Sequence, residues 1–211
     1  MGAMANPWLN VPLADYEGHM NSPGVAQLEA LSELFAEALK QCRPESVAVM
    51  GIAGGNGLER IDSSVTHRVV GIDINPAYLD VVRQRFGHMQ GLDLMCANLA
   101  EKIVTLPPVQ LVHAALVFEH AGAGPCLDNA LSMVGHGARL SVVLQLPSET
   151  EPGVGNGRFP SMQTLSAGFI LIDPATLRET IEARGFRIVC ESRRGLPAGK
   201  AFWMGLFAQA C

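Results

Sequence analysis

Two segments of this chain combine residue types that suit the binding of a nucleoside. An apolar run over 47–50 leads into a glycine-rich turn, and a second apolar run ends on Asp73. Glycine has no Cβ, so the backbone of such a turn can approach a ligand closely. A carboxylate after the next strand suits the two hydroxyls of a ribose. The residues predicted to face the nucleoside from these segments are Gly51, Ala53, Gly55, Asp73 and Ile74.

Two further pairs of side chains could move a proton. Glu119 and His120 follow the apolar run 109–118, which predicts a strand, and ligands bind beyond the carboxyl ends of strands in open α/β sheets. An imidazole there could accept a proton from a hydroxyl or an amine. Tyr16 and His19 lie in a proline- and glycine-rich stretch that could fold over the same crevice. The structural alternatives are a polar cluster that orders a loop and a mobile terminal arm.

The hydrophobic pattern around these residues predicts a doubly wound α/β sheet of seven strands. Apolar runs alternate five times with segments of helical spacing, which is typical of parallel strands joined by helical crossovers. The last two runs, 186–192 and 202–208, are joined by a link too short for a crossover helix. We therefore expect a mostly parallel sheet that ends in an antiparallel C-terminal hairpin.

The same pattern predicts a short arm followed by one domain. Prolines and glycines interrupt any regular period near the N-terminus, so residues 1–22 are expected to be an irregular arm and 23–211 a single domain. The segment 147–171 is long for a connection in a compact domain, and such loops are often lids. Helices are expected over 23–42, from the glycine turn near 55–57, after Asn75-Pro76, over 127–134, and from Asp173-Pro174 to Gly185.

Composition restricts the classes of partner. The 211 residues carry a formal net charge of −5 and no run of Lys or Arg, which disfavours a nucleic-acid partner. Hydrophobic residues make up 48% and charged residues 17%, which leaves room for an apolar homodimer face or substrate mouth. The five cysteines are scattered without metal spacing, so we expect no metal site and a reducing cytoplasm. The chain lacks an apolar stretch of signal-peptide or membrane-span type, so no membrane partner is expected.

Taken in order, these motifs resemble those of class I S-adenosylmethionine-dependent methyltransferases, over about residues 23–208. Residues 51–55 stand at the glycine motif of that family, and Asp73 stands at the acid that holds the ribose. Ala97 and Asn98 follow the third strand, near where the adenine would lie. The Rossmann-like sheet with its closing hairpin is also similar to that family. The resemblance assigns to the cofactor Gly51, Ala53, Gly55, Asp73, Ile74, Ala97 and Asn98.

The resemblance implies an enzyme that transfers a methyl group from S-adenosylmethionine to a small-molecule acceptor. The sulfonium of this cofactor already activates the methyl group, so the protein mainly aligns the acceptor and excludes water. The resemblance places Glu119 and His120 at the exit of the fourth strand, where they would handle the acceptor. Tyr16 and His19 are further candidates for the same task.

Two alternatives stay open at the level of sequence. A non-catalytic S-adenosylmethionine-binding protein is favoured by Val49 and Asn98, which stand where the family usually carries acids. A nicotinamide-dependent oxidoreductase would require a G-x-G-x-x-G turn. Counted from Gly51, that motif meets Ala53 and Asn56 at its second and third glycines, so the match is poor.

Overall fold

A single seven-stranded sheet forms the centre of the computed structural model, which describes residues 6–101, 103–148 and 158–210. Its strands are β1 (Ser46–Met50), β2 (Arg68–Asp73), β3 (Leu92–Cys96), β4 (Val109–Ala115), β5 (Val134–Leu146), β6 (Phe186–Gly195) and β7 (Ala201–Gln209). Their order is β3-β2-β1-β4-β5-β7-β6, in which β7 is antiparallel to both neighbours and every other pair is parallel. The predicted sheet with its antiparallel C-terminal hairpin is confirmed.

Helices cover both faces of this sheet. They are α1 (Leu13–Met20), α2 (Gln27–Cys42), α3 (Pro76–Phe86), α4 (Phe118–Ala121), α5 (Pro125–Met133), α6 (Pro160–Ser166) and α7 (Pro174–Glu182). The side chains of Asn75 and Asp173 cap α3 and α7, each directly before a proline, as the sequence predicts. Among the helices of the described ranges, none has the length and apolar character needed to cross a membrane.

Two hydrophobic cores lie on opposite faces of the sheet because successive strand residues point in opposite directions. Val47 and Val49 of β1 pack into the core beneath α2 and α3. Ala48 and Met50 enter the core beneath α5 and α7. The chain runs from β1 outward through β2 to β3 and then returns to β4 on the other side of β1. The crevice between β1 and β4 is therefore the topological switch point, where ligands bind in sheets of this type.

The glycine-rich turn does not open an α-helix, contrary to the sequence prediction. Residues 51–67 contain one 3-10 turn, Leu58–Arg60, and no α-helix. The physical reason is that Gly51, Ala53, Gly55 and Gly57 all adopt a positive φ, which a right-handed α-helix does not allow. A Cβ on Gly57 would lie 2.9 Å from Phe35 Cδ1 of α2, and Gly57 adopts a φ of +90°. The turn is thus packed directly against a helix that precedes β1 in the chain.

Residues 6–22, the described part of the N-terminal arm, are largely helical rather than irregular, so the prediction is wrong for these residues. Residues 7–10 form a 3-10 turn and α1 follows Pro12. A proline at the start of a helix costs little, because the N–H that it lacks would have no helical partner there. Gly18 lies inside α1, where a Cβ would stand 2.8 Å from the Phe159 ring. The domain boundary at residue 22 stays a prediction.

Several predicted boundaries shift. β4 ends at Ala115 rather than at 118, so Glu119 and His120 belong to the short helix α4. The helix predicted over 127–134 begins earlier, and the glycines expected to stop it lie within β5. The segment 147–171 contains α6, while its residues 149–157 lie outside the described part of the chain, so a lid there stays a prediction.

Candidate functional site

A cavity lies at the carboxyl ends of the strands, at the switch point between β1 and β4. It brings together nine of the residues that the sequence predicted: Tyr16, His19, Gly51, Ala53, Asp73, Ile74, Ala97, Asn98 and His120. The other two, Gly55 and Glu119, are not among the residues that line it. The site is thus built mainly from strand ends, with further side chains contributed by the N-terminal arm.

The glycine-rich turn forms one unit with the end of β2. The N–H groups of Gly51 and Ile52 donate to the carbonyl oxygen of Ile72, at 2.8 and 3.0 Å. The N–H of Ala53 donates to Asp73 Oδ2 at 2.9 Å. Gly51 and Ala53 both have positive φ, +66° and +46°. For alanine this backbone conformation costs about 1–2 kcal/mol, so Ala53 holds a turn for which glycine is better suited.

Asp73 is buried at the centre of this unit, with 7% of its surface exposed. Its Oδ1 accepts a hydrogen bond from the Asn75 N–H, and its Oδ2 accepts one from the Ala53 N–H, both at 2.9 Å. Burial raises the pKa of the carboxyl, and the backbone hydrogen bonds partly offset that rise. Each carboxylate oxygen has a further lone pair, so Asp73 can also accept hydrogen bonds from two ligand hydroxyls.

Two neighbouring glycines of the turn face away from the cavity. Gly55 packs on Phe86 of α3, where a Cβ would lie 2.7 Å from Cε2. Gly54 was not singled out from the sequence. Its carbonyl accepts a hydrogen bond from Arg85 Nη1 at 3.1 Å, while Arg85 Nη2 donates to Glu17 Oε2 at 3.0 Å. A Cβ on Gly54 would collide with the Glu17 carboxylate. Arg85 thereby joins α3, the turn and α1.

The ends of β2 and β3 form the far side of the cavity. The Ala97 N–H donates to the carbonyl of Asp73 at 3.0 Å, which fixes the position of the chain after β3. Asn98 Oδ1 accepts the Ala100 N–H at 3.1 Å. The Asn98 amide can therefore offer a ligand its N–H donors and a second oxygen lone pair. Leu99, which also lines the cavity, adds an apolar contact beside it.

His120 lies between two aromatic rings. Its ring centroid is 4.8 Å from that of Trp8, nearly perpendicular to it, and 5.1 Å from that of Phe169. Burial lowers the pKa of His120 to about 4, so the imidazole is neutral near pH 7. A neutral imidazole can accept a hydrogen bond from an acceptor, but this surrounding disfavours the protonated form.

Glu119 lies behind the cavity wall, not in the crevice where the sequence prediction put it. Its side chain is 1% exposed, and Oε1 accepts the backbone N–H of Gln145 at 2.8 Å. Its carbonyl oxygen accepts the Ile170 N–H at 2.9 Å. Oε2 has no hydrogen-bond partner within the described residues, and burial raises the pKa of the carboxyl to about 7. Because β4 ends at Ala115, Glu119 lies on α4 and its side chain points toward β5. There it holds the backbone of Gln145, a residue that lines the cavity.

Hydrogen bonds hold the N-terminal arm over the cavity. Asn75 Nδ2 donates to the carbonyl of Trp8 at 2.9 Å, and the Tyr78 hydroxyl donates to the carbonyl of Val11 at 2.8 Å. Both bonds join the arm to the helix that follows Asp73. These bonds place Trp8 among the residues that line the cavity.

Tyr16 and His19 enter the cavity from α1. The Tyr16 ring stands edge-on to Trp8 at 5.7 Å. Burial, together with the nearby Asp73 and Glu17 carboxylates, raises the pKa of Tyr16 well above its usual range, so the phenol stays protonated. His19 is buried and its ring stands edge-on to Phe159 at 6.4 Å. The hydroxyl of Tyr16 is therefore suited to hydrogen bonding rather than to accepting a proton as phenolate.

The sequence did not point to the polar residues that line the cavity on the side of β5 and β7, away from Asp73. Gln27 Nε2 of α2 donates to Gln145 Oε1 of β5 at 3.1 Å, and both side chains are buried. Lys200, directly before β7, also lines the cavity and is 6% exposed. These residues come from distant parts of the chain, so no local motif marks them. Elsewhere in the described ranges, no three His, Cys, Asp or Glu side chains are grouped to hold a metal ion.

Comparisons with known proteins agree with this architecture at the level of structure. No protein-family model and no curated protein matches the sequence. The N-methyltransferase NodS from Bradyrhizobium japonicum WM9, in complex with S-adenosylhomocysteine, is similar with a TM-score of 0.68 and 16% identity, over 97% of this chain and 98% of that chain. The CcbJ methyltransferase from Streptomyces caelestis gives a TM-score of 0.65 and 14% identity, over 95% and 99%.

A third similar structure carries a different activity in its name. The [4+2]-cyclase SpnF is similar with a TM-score of 0.67 and 12% identity, over 90% of this chain and 83% of that chain. At such identities the likeness concerns the fold. The fold is that of class I S-adenosylmethionine-dependent methyltransferases, which confirms the fold expected from the sequence, and its chemistry has to be argued from the site.

Proposed function

We propose that this protein binds S-adenosylmethionine in the cavity and transfers its methyl group to a small-molecule acceptor. The observation that carries the proposal is the bond between Asp73 and the glycine-rich turn. It holds a carboxylate with spare acceptor capacity beside a backbone that has no side chain at Gly51. This combination suits a ribose with two free hydroxyls and a neighbouring group that lies close to the backbone.

The residues along β1, β2 and β3 fit the cofactor. Asp73 would hold the ribose hydroxyls, and Gly51 and Ala53 would lie against the chain that carries the sulfur. Ala97 and Asn98, beyond β3, would lie beside the adenine, with Ile74 next to them. When bound, S-adenosylmethionine supplies a methyl group that its sulfonium has already activated. The turn needs no anion-binding helix for this ligand, because S-adenosylmethionine has no phosphate.

The residues beyond β4 and β5 fit the acceptor. His120 can accept a hydrogen bond from a hydroxyl or amine and so orient its lone pair. Tyr16 and His19 cover the cavity from α1 and exclude water. Glu119 acts on the acceptor indirectly, because its carboxyl group holds the backbone of Gln145, whose side chain lines the cavity. In these roles the side chains align the acceptor with the methyl group, and none of them has to act as a strong base.

A small-molecule acceptor suits this arrangement better than a polymer. The arm and α6 lie over the carboxyl edge of the sheet, so the cavity is a recess and not an open groove. The net charge of −5 disfavours nucleic acid. From composition alone we also expect a cytoplasmic protein, and the low share of charged residues is compatible with a homodimer.

One alternative is favoured by a specific observation. Burial of His120 lowers its pKa to about 4, which makes it a weak base, and Val49 is buried in the core where the family usually carries an acid. A protein that binds the cofactor without transferring its methyl group is therefore the second candidate. A nicotinamide-dependent enzyme is disfavoured, because residues 51–67 provide no α-helix N-terminus for a pyrophosphate.

Calorimetric titration of the purified protein with S-adenosylhomocysteine, NAD and NADP distinguishes the methyl-donor cofactor from a nicotinamide cofactor. We expect saturable one-site binding of S-adenosylhomocysteine and none of the dinucleotides. Methyl transfer from labelled S-adenosylmethionine to a metabolite panel then separates the enzyme from the binding protein. Tighter binding of NAD or NADP would overturn the proposal.

A further inference from the structure

Two buried amide side chains line the cavity on the side of β5 and bind each other. Gln27 is the first residue of α2, and Gln145 lies one residue before the end of β5. Gln27 Nε2 donates to Gln145 Oε1 at 3.1 Å, and the two residues are only 5% and 8% exposed. Among the described residues, this is the one hydrogen bond that either side-chain amide makes. The pair is therefore a buried polar part of the cavity wall.

The bond between the two amides leaves hydrogen-bonding groups of both side chains unused. A side-chain amide has a carbonyl oxygen with two lone pairs and an NH2 group with two N–H donors. The bond uses one N–H of Gln27 and one lone pair of Gln145, so the Gln27 oxygen can still accept and the Gln145 NH2 group can still donate. Rotation of both amides by 180° would exchange these roles but keep one acceptor and one donor. Because buried polar groups without a partner are costly, the pair requires a partner in the cavity that both donates and accepts.

The backbone holds the pair in place before any ligand binds. The Gln145 N–H donates to Glu119 Oε1 at 2.8 Å, and Gln145 pairs with Phe202 of β7. The start of α2 is fixed against the glycine-rich turn, because Asn56 Nδ2 donates to the carbonyl oxygen of Leu28 at 2.9 Å. A rigid pair of this kind can select a ligand by the geometry of its hydrogen bonds.

The amide pair lies on the acceptor side of the cavity. The strand order β2-β1-β4-β5 puts three strand steps between Asp73 and Gln145, which corresponds to roughly 14 Å at the usual strand spacing. The residues proposed for the cofactor follow β1, β2 and β3, on the side of Asp73. Gln145 is instead joined by a hydrogen bond to Glu119, whose chain neighbour His120 lines the cavity. If Asp73 marks the ribose, the amide pair faces the acceptor.

The aromatic wall of the cavity consists of Trp8, His120 and Phe169. The ring centroid of His120 is 4.8 Å from that of Trp8 and 5.1 Å from that of Phe169. Burial lowers the pKa of His120 to about 4, so all three rings are uncharged near pH 7. Met162 and Leu165 of α6 add apolar side chains to the same cavity. Such surroundings favour a flat apolar ligand, which packs on aromatic rings by edge or by face.

We propose that the acceptor is a flat, largely apolar molecule with one polar group that both donates and accepts a hydrogen bond, such as a hydroxyl or a primary carboxamide. Gln27 and Gln145 bind this group, and the ring packs on the aromatic wall. This inference rests on the proposed function, because it takes the Asp73 side of the cavity for the cofactor. The competing partner of the amide pair is a water molecule, which also donates and accepts.

The test measures binding of three uncharged probes, by ligand-observed NMR, to protein saturated with S-adenosylhomocysteine. Benzamide is flat and has the required donor and acceptor. Acetophenone has the same shape without the donor, and cyclohexanecarboxamide keeps the amide but is not flat. We expect benzamide to bind at least fivefold more tightly than either of the other two. A smaller preference over either compound, or no binding of any probe, would overturn the assignment of the acceptor class. If the preference over acetophenone is the one that fails, water serves the amide pair.

Three variants locate the source of the preference for benzamide over acetophenone. Gln145→Met removes one amide but keeps the backbone N–H that binds Glu119, and Gln27→Met removes the other amide. Each should abolish the preference. Gln84→Met, which removes an amide from an exposed position on α3, should leave the preference unchanged. A preference that persists in either cavity variant would overturn the role of the pair, and if one of them does not fold, the other decides.

The affinity for S-adenosylhomocysteine distinguishes failure of this inference from failure of the proposed function. It should be the same in the wild-type protein and in all three variants. A loss of affinity for S-adenosylhomocysteine in the folded Gln145→Met or Gln27→Met variant would mean that the pair faces the cofactor, which refutes only this inference. Wild-type protein that does not bind S-adenosylhomocysteine refutes the proposed function itself.

Discussion

The backbone N–H of Ala53 donates a 2.9 Å hydrogen bond to the carboxylate of Asp73, which joins the glycine-rich turn to the end of the neighbouring strand. Two short motifs that lie 20 residues apart thereby form one rigid edge of the cavity. The second oxygen of the same carboxylate is held by the Asn75 N–H, at the start of α3. The position of the acid is thus set by backbone atoms on both sides, before any ligand binds.

The conformation of Ala53 leads to a first prediction. Alanine at a φ of +46° is strained, whereas glycine adopts this conformation freely. We expect Ala53→Gly to leave the free energy of unfolding unchanged or to raise it by up to about 1 kcal/mol, since glycine's greater unfolded-state entropy offsets part of the relief. Urea denaturation measures the change.

Gly55→Ala provides the comparison for Ala53→Gly. Gly55 has a φ of +85°, and a Cβ there would lie 2.7 Å from the Phe86 ring. The free energy of unfolding of this variant should therefore fall by more than about 1 kcal/mol. If Ala53→Gly proved the more damaging of the two substitutions, the turn would not have the conformation described here.

Glu119 leads to a second prediction, on the pH dependence of stability. Burial raises its pKa from 4.5 to about 7, so the folded protein favours the protonated acid. The stability that the protonated Glu119 side chain contributes to the fold is fully present below about pH 4.5. It is lost as the pH rises through 7. Glu119→Gln keeps an oxygen acceptor for the Gln145 N–H and stays neutral. We expect its melting temperature, relative to wild type, to rise between pH 5 and pH 8.

The matched control for Glu119→Gln is Glu101→Gln, at an exposed position. Its melting temperature should follow that of the wild-type protein at every pH. Parallel pH profiles for Glu119→Gln and wild type would mean that Glu119 is ionised in the fold at no cost, although its Oε2 has no hydrogen-bond partner among the described residues.

The contact between Glu17, Arg85 and Gly54 leads to a third prediction. Arg85→Met breaks the ion pair that holds α1 against α3 and the turn. Because both side chains are partly exposed, we expect a loss of at most about 1 kcal/mol in stability. We expect a larger effect on the ligand, whose dissociation should accelerate severalfold because α1 covers the cavity. Stopped-flow measurement with S-adenosylhomocysteine tests this against Arg83→Met, whose arginine pairs with Asp80 on the same helix.

His120 leads to a fourth prediction. Because burial lowers its pKa to about 4, the rate of methyl transfer should show no titration of His120 between pH 5.5 and 8. His120→Phe keeps an aromatic ring between Trp8 and Phe169 but removes both nitrogens. If the imidazole accepts a proton or hydrogen bond from the acceptor, kcat should fall by roughly 10²-fold. The affinity for S-adenosylhomocysteine should not change, and an unchanged kcat would remove His120 from the reaction.

Local signals in the sequence were enough to predict most of the fold. Asn75-Pro76 and Asp173-Pro174 are complete helix starts, and the short final connection requires an antiparallel pair. Asp73 was singled out because a buried apolar run ends on it. These features depend on residues that are close together in the chain, which is why a single sequence reveals them.

Features that depend on distant contacts could not be read in this way. Gln27 and Gln145 are 118 residues apart, and Gly54 is required by a pairing between α1 and α3. Pro12 and Gly18 suggested an irregular arm, because only the position of Phe159 shows why a glycine belongs inside α1. The helix expected after the glycine turn is missing because Gly55 and Gly57, where it would begin, adopt a positive φ.

Calorimetric titration with S-adenosylhomocysteine of the wild-type protein and the Asp73→Ala variant tests the central proposal most directly. Asp80→Ala, which removes an exposed acid from α3, serves as the control. We expect wild type and Asp80→Ala to bind alike and Asp73→Ala to lose at least 100-fold in affinity while its circular dichroism spectrum stays native, since two charge-assisted hydrogen bonds are lost, each worth roughly 1.5–3 kcal/mol. Unchanged affinity in Asp73→Ala would contradict the assignment of this cavity to S-adenosylmethionine.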